Sequence, residues 1–350
     1  MSFAFDYELL CELTEARGVP GYEDRVREIV RRELAEVTDH IETDAMGNVV
    51  ATVEGESDYS VAVAAHMDEI GFMVRHITDE GFVQVDPLGG FDPRVLRAQR
   101  VTVHGEEDLT GVIGSVPPHT LTDEQREKND EVSDLFIDLG RGSDTVSDLV
   151  SVGDLVTLDQ TTTTLGECVT GKALDDRVCV FAMIEAARRI EDPDVTIHFA
   201  ATVQEEVGLR GAHALGVDID PDLAIALDVT VANDVPQIGK EADAVTELGA
   251  GTAIKLKDSS VITSPKVHSR LTDVAESESI AYQHEVLPAG GTDTAGFQRA
   301  NGAKPVGAIS IPTRYLHTVT ETANGDDIAA TIDLLTAFLE SETGEHDYTL

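Results

Sequence analysis

The chain of 350 residues has no tryptophan, and aromatic residues make up only 5% of it. Its core therefore has to be assembled from Val, Leu, Ile and Ala, within a hydrophobic content of 41%. Basic residues are scarce: 25 Lys plus Arg face 66 Asp plus Glu, a net charge of −41. That sign excludes nucleic acid and disfavours anionic membranes as partners, because both require cationic side chains to neutralise phosphate. The three cysteines, Cys11, Cys168 and Cys179, form no Cys-x-x-Cys pair. Such a set fits free thiols in a reducing compartment. No basic stretch followed by an apolar run opens the chain, and no apolar run is long enough to span a bilayer. The expected location is the cytoplasm. The acid is spread along the chain and not gathered in one tail. It reads as adaptation to high salt, where dissolved ions screen the self-repulsion of such a surface.

The length suits two domains, or one core domain with a large insertion. Leu9, Leu10 and Leu13 share one face of a helix over 7–17, which Gly18-Val19-Pro20-Gly21 ends. A second helix spans about 23–37. Strands are expected at 48–53 and 61–65, the latter an uninterrupted apolar run typical of a strand covered on both faces. From about Gly71 to Gly166 the texture changes to short alternating runs punctuated by Gly, Asp and Pro, the pattern of a small β-barrel or sandwich. Within it, Pro117 to Asp134 reads as an exposed charged loop. Afterwards helices (176–190, 269–278, 326–339) alternate with strands (195–203, 223–229, 260–262, 283–287, 306–311). The fold class is an α/β core interrupted by an all-β insertion.

Metal-competent side chains follow apolar strands at several places. Val61 to Ala65 ends in His66 and Asp68, Val195 to Val203 in Glu205 and Glu206, and Leu223 to Leu227 in Asp228. His317 follows Val306 to Ile311 after a short loop, and Asp175 precedes a helix. Taken singly, each has an ordinary reading: a core histidine, a helix cap, a turn residue, or one more acid among 66. Together they stand where an open α/β sheet places its ligand crevice. Two imidazoles and three carboxylates suit a pair of Zn2+, Co2+ or Mn2+ ions. His66 and Asp68 are two apart on an extended chain and point the same way, so Asp68 is placed to hold the far nitrogen of His66.

Five blocks carry a resemblance: Ala64-Ala65-His66-Met67-Asp68-Glu69-Ile70-Gly71, Gly171 to Arg177, Gln204 to Ala212, Ala226-Leu227-Asp228, and Pro312 to His317. The flanks Val19 to Glu23, Asp44 to Asn48 and Gly291 to Thr294 agree. Over roughly residues 7 to 340 the chain resembles the tetrahedral (TET) metallo-aminopeptidases, which include glutamyl, leucyl, lysyl and deblocking enzymes and some labelled endoglucanase. The resemblance implies a mixed-sheet α/β/α catalytic domain over 1–70 and 167–342, a PDZ-like dimerisation insertion over 71–166 and a tail over 343–350. It implies two divalent ions per subunit, one held by His66, Asp175 and Asp228, the other by Asp175, Glu206 and His317. It makes Glu205 the general base and Asp68 the residue that orients His66. The implied substrates are peptides, and the implied assembly is a tetrahedral dodecamer. Three rival readings are a related di-metal N-acyl amino acid hydrolase, a glycoside hydrolase and a non-catalytic metal-binding assembly subunit. The glycoside hydrolase needs only two carboxylates and leaves His66 and His317 unexplained.

Overall fold

The computed structural model describes residues 3–123, 131–236 and 244–350. The charged loop expected over 117–134 lies partly outside the described residues. In chain order the strands are β1 (Ile41–Thr43), β2 (Val49–Val53), β3 (Ser57–His66), β4 (Gly71–Ile77), β5 (Val83–Leu88) and β6 (Arg100–His104). There follow β7 (Asp108–Ile113), β8 (Ile137–Asp138), β9 (Leu155–Leu158), β10 (Thr163–Leu165), β11 (Cys168–Gly171) and β12 (Val195–Thr202). The remainder are β13 (Leu223–Val231), β14 (Thr252–Lys257), β15 (Tyr282–Val286), β16 (Val306–Arg314) and β17 (Glu321–Asn324).

One 11-stranded sheet has the order β1-β2-β12-β3-β13-β16-β17-β11-β10, with β14 pairing β15 and β16. Strands β4 to β9 instead close into a separate six-strand barrel, in the order β4-β5-β8-β7-β6-β9, around its own apolar core. The all-β insertion read from the alternating texture is this barrel.

The middle of the large sheet positions the site. β12, β3, β13 and β16 are mutually parallel, so their carboxyl ends share one edge. The run Val61 to Ala65 is fully buried, and its alternation serves two layers. Val61, Val63 and Ala65 join the core formed with Val178 and Phe181 of the helix Leu174–Ala187. Ala62 and Ala64 face Ala212, Leu215 and Phe297, from the helices Arg210–Asp218 and Thr294–Gln298. Alanines on that side let the short helices sit close to the sheet.

Several boundaries move. β10 and β11 form a hairpin in the large sheet, so that sheet resumes at Thr163, inside the expected 71–166 insertion. β13 continues through Asp228 to Val231, because it pairs with β16 along that whole length. Residues 260–262 make only an isolated bridge, Lys257 to Ile262. The strand of that region is β14, where buried Lys255 interrupts the apolar pattern. The helix expected from Ser269 starts at Pro265, in the first turn, where a missing N–H costs nothing. Among the described residues no helix is long and apolar enough to cross a membrane.

Candidate metal centre

His66 is the last residue of β3 and is 2% exposed. Its Nδ1 lies 3.0 Å from the backbone carbonyl of Asp68. That contact assigns the Nδ1 proton and leaves Nε2 as a free ligand atom. Nε2 faces Asp175 Oδ1 at 3.2 Å and Glu205 Oε2 at 3.9 Å. The turn after β3 is pinned by the buried guanidinium of Arg177. Arg177 donates to the carbonyls of Met67, Leu13, Ala16 and Gly18. Glu69 completes the pin, accepting from Gly18 N–H at 3.2 Å and from Lys172 Nζ at 2.6 Å.

Asp68 orients His66 through its carbonyl, and its carboxylate does something else. Oδ1 accepts the N–H of Glu205 and Oδ2 the N–H of Glu206, each at 3.0 Å. The expected carboxylate contact to His66 Nδ1 is 3.6 Å, too long for a hydrogen bond. Beyond β12, Asn48 Oδ1 accepts Val203 N–H at 3.0 Å, and Asn48 Nδ2 donates to Asp44 at 2.6 Å. Gln204 then takes φ +56°, the left-handed turn that swings Glu205 and Glu206 over the sheet edge. The block Asp44 to Asn48 is thus a brace for the glutamate pair.

Asp175 enters ahead of the regular part of its helix, with ψ 106°. Its Oδ1 faces His66, and its Oδ2 stands 3.3 Å from His317 Nε2. His317 Nε2 is also 3.6 Å from Glu206 Oε1, while its Nδ1 donates to Gly90 O at 2.7 Å. Gly90 follows barrel strand β5, so the barrel segment fixes the tautomer of His317. Asp228 lies 6% exposed within β13, one oxygen accepting the N–H of Val229 at 2.7 Å. Asp176 accepts His66 N–H at 3.1 Å, and its other oxygen is buried without a hydrogen-bond partner.

Among the described residues the ligand atoms fall into three groups, each within 4.8 Å: His66, Asp176 and Asp228; Asp175, Glu206 and His317; and His66, Glu205 and Glu206. The second is the set expected for one ion. In the first, Asp176 stands where Asp175 was expected, although Asp175 Oδ1 also reaches His66. All of these residues except Asp176 line a cavity of about 350 Å3, together with Gly208, Leu209, Gly290 and Gly291.

The electrostatics match a cation site. Burial pushes the Glu205 and Asp228 carboxyls well above their usual range, with neighbouring acids adding to it. Burial and Asp175 bring Glu206 to about 8. Burial is the largest influence on both histidines and opposes their charge, yet the hydrogen bond to Asp175 and the surrounding acids together outweigh it, lifting His66 and taking His317 to about 10. Asp175 resists burial through its two histidine partners and stays low. So many acids around two imidazoles cannot all ionise without cations among them. Two free Nε2 atoms beside hard oxygen donors fit divalent ions of the zinc class.

A family model described as M42 glutamyl aminopeptidase matches residues 47–334. The chain belongs to the M42 glutamyl aminopeptidase family. It is 36% identical to the lysyl aminopeptidase of Pyrococcus furiosus over 98% of this chain and 99% of that one. Among solved structures it is similar to the aminopeptidase APDkam598 of Desulfurococcus kamchatkensis, with TM-score 0.92, 38% identity, and 97% and 95% of the two chains covered. It is also similar to the TET1 peptidase of Pyrococcus horikoshii, which can assemble into a tetrahedron or a large octahedral shell. There the TM-score is 0.86 at 34% identity, over 96% of this chain and 99% of that one. Members of the family are metallopeptidases, the chemistry that these donor groups fit.

The sequence reading did not single out Glu321 or Gly90, and it preferred Asp175 to Asp176. Asp176 had a signal, its place next to Asp175. Gly90 acts through a carbonyl, which no side-chain pattern announces.

Proposed function

We propose that the protein is a two-metal aminopeptidase that removes N-terminal residues from peptides in the cytoplasm. The observation that carries this is the position of Asp175 between the two histidines, one oxygen 3.2 Å from His66 Nε2 and the other 3.3 Å from His317 Nε2. His66, Asp175 and Asp228 would hold one ion, and Asp175, Glu206 and His317 the other. Bound divalent ions would polarise the scissile carbonyl and acidify water. Zn2+ is the proposed native metal, with Co2+ and Mn2+ as substitutes.

Glu205 is the proposed general base. It takes a proton from the attacking water and returns it to the departing amine. Its buried, acid-crowded position keeps its proton affinity high, as that double role requires. Asp68 holds Glu205 and Glu206 in register through their backbone N–H groups. The acids lining the cavity attract a substrate's free ammonium group, which restricts cleavage to N-terminal residues. The barrel formed by β4 to β9 is the proposed dimerisation unit of a TET-like dodecamer. The net charge of −41 is proposed as an adaptation to high salt. The test is Glu205→Gln, assayed on a panel of aminoacyl chromogenic substrates and N-acylated controls in high salt. It retains both metals and loses about 100- to 10,000-fold in turnover. Near-normal turnover removes Glu205 as base, and preference for the N-acylated substrates removes the aminopeptidase reading.

A further inference from the structure

We propose that Glu321 is a positioning residue that sets the separation of Asp175 and His317, an inference that rests on the two-metal reading above. Glu321 opens β17 and is 2% exposed. It pairs with Gly171 at the end of β11, and the next residue, Thr322, pairs with Arg314 at the end of β16. It therefore stands between the two turns that deliver Asp175 and His317. Its oxygens are divided between them: Oε1 accepts His317 N–H at 2.8 Å, and Oε2 accepts Asp175 N–H at 3.0 Å. Both oxygens point at backbone, so Glu321 acts through the ligands and is not one itself.

The need for such a clamp is local. His317 has φ +58°, and Ala173, two residues before Asp175, has φ +54°. Non-glycine residues in the left-handed region persist only where surrounding bonds hold them. Glu321 supplies one hydrogen bond beside each. Asp68 does the same for Glu205 and Glu206 across the cavity. Two buried carboxylates thereby fix the backbone of four site residues without occupying any ligand position.

The experiment strips the full-length protein of metal and titrates it with Zn2+ by calorimetry, for wild type, Glu321→Gln and His317→Ala. The His317 variant identifies which binding step belongs to the His317 ion. Glutamine keeps the shape but offers one acceptor, and its amide NH2 opposes the other backbone N–H. The His317 step is expected to weaken about 10- to 100-fold, the range for residues that orient metal ligands. The other step is expected to shift less, and the thermal midpoint of the metal-free protein to change little. Two Zn2+ steps equal to wild type overturn the proposal. So does a lowered midpoint with both affinities intact, which is a structural role alone. Where the amide variant does not fold, Glu321→Asp, which retracts both oxygens by one methylene, is judged by the same criteria. A wild type that binds two Zn2+ yet releases no N-terminal residues removes the aminopeptidase reading and leaves the Glu321 result standing, because that result is read in metal affinity.

Discussion

Replacing Asp68 with asparagine separates two roles that one residue performs. The carbonyl that fixes His66 Nδ1 at 3.0 Å is backbone and survives the change. The carboxylate that spans Glu205 and Glu206 does not. Asparagine has a single acceptor oxygen, so one of the two N–H groups loses its partner and faces an amide NH2. A hydrogen bond to a charged group is worth about 1.5–3 kcal/mol. Asp68 is fully buried, so water does not replace the lost bond. At about 1.4 kcal/mol per factor of ten, the loss corresponds to roughly 10- to 100-fold. We expect it in kcat/KM on an aminoacyl chromogenic substrate, with Zn2+ at the His66 site retained. Metal content after dialysis and steady-state kinetics in high salt give both readouts. Kinetics within threefold of wild type refute the argument that the carboxylate positions the glutamates. Selective loss of the His66 metal would return Asp68 to the role first read from its spacing, that of holding the imidazole directly.

Metal uptake should expel protons. Glu206 is raised from 4.5 to about 8, by burial and then Asp175, and His317 from 6.5 to about 10, where burial is overcome by the Asp175 bond together with the charges of Glu206, Asp175 and Glu321. Both folded values exceed the unfolded ones, so the stability each proton brings is complete below 4.5 and 6.5 and is lost as pH rises through about 8 and about 10. The ions need both groups deprotonated. Near neutral pH, Zn2+ binding to the metal-free protein therefore releases protons, and its affinity climbs as pH rises. Calorimetry in buffers of different ionisation heats measures the release, and a buffer-independent heat contradicts it. The excess acid predicts that KCl raises the melting midpoint by screening exposed carboxylates. A midpoint highest without added salt excludes salt adaptation.

The ligand-bearing residues were legible because parallel strands impose a rule on the sequence. A strand buried on both faces is apolar throughout, so the first polar residue beyond it stands out, and it stands at the sheet edge where ligands gather. His66 obeys that rule at the end of the apolar run of β3, while Glu205 and Glu206 follow it loosely, coming after Thr202 and Gln204 beyond β12. Asp228 bends it, since β13 continues three residues further as Val229-Thr230-Val231, in register with β16. The barrel was legible for the same reason in reverse: a half-buried strand alternates, as β7 does with Leu109, Gly111 and Ile113 buried between exposed neighbours. What escaped were β1, β10, β11 and β17, each of three or four residues, too short for any period to appear, and β14, whose apolar pattern Lys255 interrupts.

The braces of the site escaped for a different reason. Asp68 and Glu321 direct their carboxylates at backbone N–H groups, and every residue except proline supplies one. No partner residue type is needed, so no pairing or spacing in the sequence marks the bond. Even where the residue itself was singled out, as Asp68 was, spacing pointed to the imidazole two residues away and gave no sign of the peptide of Glu205, 137 residues on. The ligands of this centre are therefore readable from the chain, while the geometry that makes them a centre is written in contacts to backbone, which only the folded structure displays.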